Sequence, residues 1–157
     1  MNKMMNDVWI QASSTVTQRI EKDNEGQVVI IDLVDGARGV SLDPKTGSFT
    51  VEKEFDYLVM AAPQVGRLYP GDNANFRCWL RVNGENVPDS NVLMNLFHVD
   101  VKDVIVSQGL IHLKAGDVLQ VIMATDNAAA GVGAEAIQPT PNEPLVPAII
   151  FSMEAYG

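Results

Sequence analysis

Short apolar segments separated by turn residues dominate the chain. Apolar and β-branched residues predict strands at nine segments: 8–16, 26–34, 39–43, 48–62, 75–84, 91–99, 103–114, 117–125 and 147–156. Asn83-Gly84 is the strongest hairpin signal between them, because both residues tolerate the positive φ of a type I′ turn. No amphipathic helix of three turns can be drawn without meeting Gly, Pro or β-branched residues. The pattern therefore predicts an all-β, antiparallel sandwich or barrel.

The segment FDYLVMAA, Phe55 to Ala62, is apolar on both of its faces. Alternation divides its residues into two sets, Tyr57, Val59 and Ala61 on one face and Leu58, Met60 and Ala62 on the other. An antiparallel sandwich normally leaves the outer face of each sheet in water. We therefore expect the outer face of this strand to be covered, either by another subunit or by a loop of the same chain such as residues 127–147.

A second pattern lies around the Gly116-Asp117 turn. Ile111 and Leu113 share one face before the turn, Leu119 and Val121 continue that face after it, and His112 and Gln120 point the other way. The pattern predicts a half-buried hairpin.

Length and composition favour one domain over residues 1–157, since 46% of the residues are hydrophobic. We expect residues 1–15 to form an N-terminal arm and first strand, and residues 127–147 to form a long loop before the last strand.

A formal net charge of −9 disfavours nucleic acid and anionic membranes as partners. No signal peptide or membrane-spanning segment is recognised, so we expect a virion or cytoplasmic location and no membrane insertion.

Residues that could support catalysis are few. His98 and His112 lie on different predicted strands, and His112 is expected to face solvent or an interface. Cys78, between bulky strand residues, is expected to be a buried, inert thiol. The chain has no G-x-S-x-G and no Walker A motif. We expect no enzymatic activity, no catalytic residues, no metal site and no cofactor.

Four segments, in this order, resemble the globular heads of complement C1q and the wider tumour-necrosis-factor-like jelly rolls. They are VSLDPKTGSFTVEKEFDYLVMAA, WLRVNGENV, LIHLKAGDVLQVIM and AIIFSMEAYG, and the resemblance runs from about Gly39 to the C-terminus. The chain departs from the family in its central strand, where only Tyr57 of the usual Gly-x-Tyr-x-Phe is present, and it has no collagen-like stalk.

The resemblance implies a jelly-roll β-sandwich that assembles as a homotrimer through central-strand residues. The expected trimer interface is Tyr57, Leu58, Met60 and Ala62, although the alternation also allows Tyr57 to lie in the core of its own chain. Relatives can hold calcium near the trimer axis, and carboxylates cluster here at Asp32 with Asp35 and at Asp100 with Asp103. Neither pair has a calcium-loop pattern, and acidic turns are usually solvated, so we expect no metal there; only the resemblance keeps calcium as an alternative.

Two functions fit these observations. The first is a non-enzymatic homotrimeric assembly module of a larger particle, such as a bacteriophage capsid decoration or tail protein. The second is a soluble recognition module whose end loops bind a glycan or a protein receptor. Tyr69 and Trp9 are the candidate ligand-binding aromatic residues, whereas Trp79 is interpreted as a core residue.

Overall fold

A computed structural model of the chain describes residues 7–156, which form two antiparallel sheets around one core. The strands are β1 (Trp9–Ser14), β2 (Gln18–Arg19), β3 (Gln27–Val28), β4 (Leu33–Arg38), β5 (Val40–Asp43), β6 (Ser48–Val51), β7 (Phe55–Gly66), β8 (Ala74–Val82), β9 (Glu85–Asn86), β10 (Val92–Leu96), β11 (Asp103–Val104), β12 (Ser107–Leu113), β13 (Val118–Ala124), β14 (Gly133–Ala134) and β15 (Ile149–Tyr156). The all-β prediction is confirmed. Residues 1–6 of the predicted arm lie outside the described residues.

The eight-stranded sheet is organised around β7. Strand β15 pairs with one side of β7 and β12 with the other, while β1 and β4 extend the sheet beyond β15. The short strands β2, β14 and β11 join at the end of β7 that carries Gly66. The seven-stranded sheet has the order β10-β8-β13-β6-β5, with β9 beside β8 and β3 beside β13.

The core lies between the inner faces of the two sheets. Phe49 of one sheet stacks on Phe151 of the other, with ring centroids 4.1 Å apart. Tyr57 is fully buried among these residues, and its hydroxyl donates a hydrogen bond to the Lys53 carbonyl oxygen at 2.7 Å. Burial of these rings away from water is the main stabilising contribution expected for a sandwich of this kind.

The Asn83-Gly84 hairpin forms as predicted. It joins β8 to β9, with φ of 50° at Asn83 and 83° at Gly84. Both residues occupy the left-handed region that a type I′ turn requires.

The predicted hairpin around Gly116-Asp117 is wrong in its pairing, although its assignment of faces is confirmed. Leu113, Leu119 and Val121 are buried and His112 is exposed. However, β12 pairs with β7, while β13 pairs with β8 and β6 of the opposite sheet. The turn therefore connects the two sheets. The buried residues of β12 and β13 follow one inward pattern because both strands face the core between the sheets.

Residues 127–147 contain more regular structure than a simple loop. A short 3₁₀ helix spans Ala128–Ala130, β14 follows it, and Ile137 and Val146 form an antiparallel bridge. The segment lies along the Gly66 end of β7, where the Glu135 amide donates to the Gln64 carbonyl oxygen at 2.8 Å. Within residues 7–156, no helix is long and apolar enough to cross a membrane.

Replacing Phe151 by Ala removes one ring of the stacked pair from a fully buried site. We expect the free energy of unfolding to fall by about 3–5 kcal/mol, because the lost contacts leave a cavity. Urea unfolding followed by circular dichroism measures the change. Glu154→Ala, at an exposed position of the same strand, is the matched control and should change the value by less than about 0.5 kcal/mol. Equal unfolding midpoints for Phe151→Ala and the wild type would contradict this description of the core.

Candidate functional site

The outer face of β7 is only partly covered. Leu58, Met60 and Ala62 alternate with fully buried residues of the inner face and are themselves half-buried. Tyr57 lies on the inner face, one of the two placements that the alternation left open. It therefore offers no side-chain surface to a neighbouring subunit.

Apolar residues of the adjacent strands extend this surface. Leu110 of β12 lies opposite Leu58 and is 61% exposed, and Ile150 of β15 lies opposite Ala62 and is 46% exposed. We call this group the outer patch; it consists of Leu58, Met60, Ala62, Leu110 and Ile150. Contiguous exposed apolar surface of this kind is unusual on a monomer and marks interaction sites.

The edge of the sheet beside the outer patch is also open. Within the described part of the chain, β12 pairs with β7 on one side only. Val106, just before β12, and Leu110 are both exposed along this edge. An uncovered edge strand presents unpaired backbone groups that a second chain can approach.

Charged residues border the outer patch at the Phe55 end of β7. His112 Nδ1 lies 2.8 Å from Asp56 Oδ1, and His112 Nε2 lies 2.7 Å from Glu54 Oε2. These hydrogen bonds, to Glu54 first and then to Asp56, raise the pKa of His112 above its ordinary value. Both ring nitrogens are occupied by carboxylates, so neither is placed to activate a nucleophile. His112 is exposed, as predicted.

The two predicted aromatic ligand-binding residues lie far apart. Trp9 is on the outer face of the eight-stranded sheet, in register with Glu154 and covering Gly36, where a Cβ would come within 2.6 Å of its ring. Tyr69 is 58% exposed and follows the opposite end of β7. The stretch of β7 from Leu58 to Gly66 alone spans about 26 Å. The two rings therefore cannot share one small ligand.

A buried arginine shapes the loops around Tyr69. Arg67 is 2% exposed, and its guanidinium donates to three backbone carbonyl oxygens, those of Tyr69 at 2.8 Å, Leu96 at 2.8 Å and Asp72 at 3.0 Å. These bonds tie the segment that carries Leu68 and Tyr69 to the segment that leads into Phe97. We call the exposed apolar side chains of the two segments the end-loop cluster: Leu68, Tyr69, Phe97 and Val101. Sequence reasoning missed this role, because an isolated arginine next to a turn has the pattern of a solvated residue.

A buried carboxylate fixes the same end of β7. Glu135 is 3% exposed and lies between the Arg19 guanidinium and the Lys102 ammonium, the latter at 2.7 Å. A Cβ on Gly66 would lie 2.4 Å from Glu135 Oε1, so the absence of a side chain there makes room for the carboxylate. Paired in this way, a buried charge is tolerated.

The interpretation of Trp79 as a core residue is wrong. Strand β8 places Phe76, Cys78 and Leu80 inward, so Trp79 points to the outer face of the seven-stranded sheet and is half-buried there. Its Nε1 donates to Asn86 Oδ1 at 2.7 Å.

The remaining reactive groups are engaged or buried. Cys78 is fully buried, as predicted, and this burial raises the pKa of its thiol to about 12. Asp32 accepts hydrogen bonds from the amide and hydroxyl of Thr15, and Asp103 accepts one from the Val104 amide. Across residues 7–156, no three His, Cys, Asp or Glu side chains are grouped as a metal site.

Comparison with known proteins identifies the fold. No protein-family model and no curated protein matches the chain. Among solved structures, the crystal structure of murine APRIL at pH 5.0 matches with a TM-score of 0.57 and 14% identity, covering 95% of this chain and 98% of that chain. APRIL belongs to the TNF family, and the likeness confirms the predicted TNF- and C1q-like jelly roll.

The His112 contacts predict a measurable pH dependence. Because the folded-state pKa is raised above 6.5, their contribution to stability is complete below pH 6.5 and is lost as the pH rises through the folded-state value. An NMR titration of the His112 ring should give a pKa above 6.5 that falls in Glu54→Gln and in Asp56→Asn. Glu52→Gln also removes one carboxylate charge, two residues from Glu54, and should leave the His112 pKa nearly unchanged. A His112 pKa that is unchanged in both Glu54→Gln and Asp56→Asn would contradict these two contacts.

Proposed function

We propose that this chain is a non-enzymatic homotrimeric assembly module. The outer patch carries the proposal, since it is an apolar surface on the middle of a sheet whose inner face already completes the core. Moving an exposed leucine or isoleucine such as Leu110 or Ile150 fully out of water is worth about 1.5–3 kcal/mol. Three copies around one axis would remove the outer patch from water in every subunit.

The arrangement of surfaces supports a closed ring. A threefold ring needs two different surfaces on each subunit, one of which meets the other on the neighbour. The outer patch supplies one surface, through Leu58, Met60 and Ala62. The open edge of β12, with Val106, supplies the second. Tyr57 is omitted from the proposed interface because its side chain belongs to the core.

Substituting Leu110 by Asp tests the assembly. Light scattering should give the wild type a mass of about 51 kDa, three times the 17.1 kDa of the chain, and Leu110→Asp should give the monomer, because each subunit contact would bury an unpaired carboxylate in an apolar surface. Val16→Asp, at another exposed apolar position, is the matched control and should remain trimeric. A wild type that is monomeric at micromolar concentration would overturn the proposal.

We further propose that the trimer belongs to a virion, as a bacteriophage capsid decoration or tail protein. Such a protein needs one surface for its own assembly and another for the particle. The end-loop cluster is a candidate for the second surface, because Tyr69, Phe97 and Val101 are exposed while the loops that carry them are tied together by Arg67. This surface is separate from the outer patch.

Mass spectrometry of purified virions from the source of the chain tests this location. We expect its peptides in intact virions, with a number of chains per particle that is a multiple of three. Their absence from intact virions, with detection in the surrounding lysate, would remove the virion role and leave the assembly itself untouched.

A soluble recognition module is the second candidate function. Its specific support is that Tyr69 is 58% exposed on loops held in place by a buried arginine. A trimer would present three such sites in one direction, so weak single contacts could give strong overall binding.

A further inference from the structure

The outer face of the seven-stranded sheet carries a shallow groove beside Trp79. The groove has a volume of about 450 Å³ and is lined by Trp79, Asn86, Val87, Asp89 and Asn91. It lies on the sheet opposite to the outer patch. Trp79 is there because its inward neighbours on β8 fill the core.

Hydrogen bonds fix the polar groups on one side of the groove. Asn86 Oδ1 accepts from Trp79 Nε1 at 2.7 Å and from Arg81 Nε at 3.3 Å. With the oxygen engaged, the amide nitrogen of Asn86 is the group left to donate to a ligand. The indole and the amide are thus held in one orientation before any ligand arrives.

A buried serine holds the other side. Ser90 is 2% exposed; its hydroxyl accepts from the Leu80 amide at 3.0 Å and donates to the Val87 carbonyl oxygen at 2.8 Å. These bonds anchor residues 87–91 against β8 and place Asp89 and Asn91 beside the indole. Asp89 adopts a φ of 62°, a left-handed conformation that Asp tolerates better than most residues.

We infer that this groove binds a neutral saccharide. A sugar ring offers an apolar C–H face, which packs on an indole, and hydroxyl groups around its edge, which both donate and accept hydrogen bonds. Asn86 and Asn91 supply amide groups and Asp89 supplies a strong acceptor. The polar lining differs from the mostly apolar pockets that hold drug-like ligands.

The charges beside the groove favour a neutral ligand. Asp89 lines it, and Arg81 contacts the Asn86 that also lines it, so one negative and one positive group oppose each other. A ligand with a net charge would gain at one group and lose at the other. The whole-chain charge of −9 further disfavours acidic sugars.

This inference goes beyond the recognition role given as the second candidate function, because it places a saccharide in the Trp79 groove and not on the end loops, and it does not depend on the trimer. The groove and the outer patch lie on opposite sheets, so burial of the outer patch between subunits leaves the groove open. A trimer would carry three grooves, and their combined avidity would exceed that of a single site.

Binding of the fluorescently labelled wild type to an array of neutral and acidic glycans, followed by calorimetry with the best neutral oligosaccharide, tests the inference. We expect Trp79→Ala to weaken binding at least about tenfold. Asp89→Gly, which keeps the left-handed conformation, and Asn91→Ala should each weaken it about three- to tenfold, because each removes one hydrogen-bonding group. Both positions are exposed, so these two variants keep the test valid if Trp79→Ala folds poorly.

Fluorescence gives a direct readout of the groove. The chain has two tryptophans, so Trp9→Phe leaves Trp79 as the only one, and its emission should shift as the oligosaccharide is added. Val16→Asp, at an exposed position outside the groove, is the matched control and should bind like the wild type.

Three results would overturn the inference: no neutral glycan binds, only acidic glycans bind, or binding is lost in Tyr69→Ala while the groove variants keep it. The last result would place the saccharide on the end loops instead. Light scattering on the same samples reports the trimer independently, so loss of sugar binding and loss of assembly are distinguishable.

Discussion

The pairing of β7 on both sides is the constraint on which the rest of the sandwich depends. Eight of its residues are in register with β15 and seven with β12, so β7 is fixed in the middle of its sheet. This position forces alternate residues into the core, where Tyr57 is fully buried. The same position turns Leu58 and Met60 outward, where their own chain covers them only in part. The outer patch is therefore a direct consequence of a central strand whose outer face is apolar from Leu58 to Ala62.

Charged groups hold the Gly66 end of β7 in addition to apolar packing. Arg67 binds three carbonyl oxygens, and Glu135 is paired with Arg19 and Lys102. Burying these groups unpaired would cost several kcal/mol, so the loops that supply the partners are restrained. As a result, the end-loop cluster is exposed apolar surface on a restrained support, which is the combination that a binding surface requires.

The three candidate contact surfaces lie on different parts of the subunit. The outer patch lies on one sheet, the Trp79 groove on the other, and the end-loop cluster at the end where β7 finishes. None of these surfaces obstructs another within a subunit. The proposed assembly, which buries the outer patch, would therefore leave both the loops and the groove available.

The sequence by itself determined the all-β class, the Asn83-Gly84 hairpin and the two faces of β7, because each of these depends on local alternation or turn chemistry. The jelly-roll likeness came instead from the resemblance of four ordered segments to a known family. Only the tertiary structure decided which strands pair across the Gly116-Asp117 turn, since two sheets sharing one core give the same inward pattern as one hairpin. It also decided that Trp79 faces outward and Arg67 inward. Asn86 accepts from the indole, and the Leu96 carbonyl oxygen, 29 residues away, accepts from the guanidinium. The fold brings both partners into place, and neither leaves a local signal in the chain.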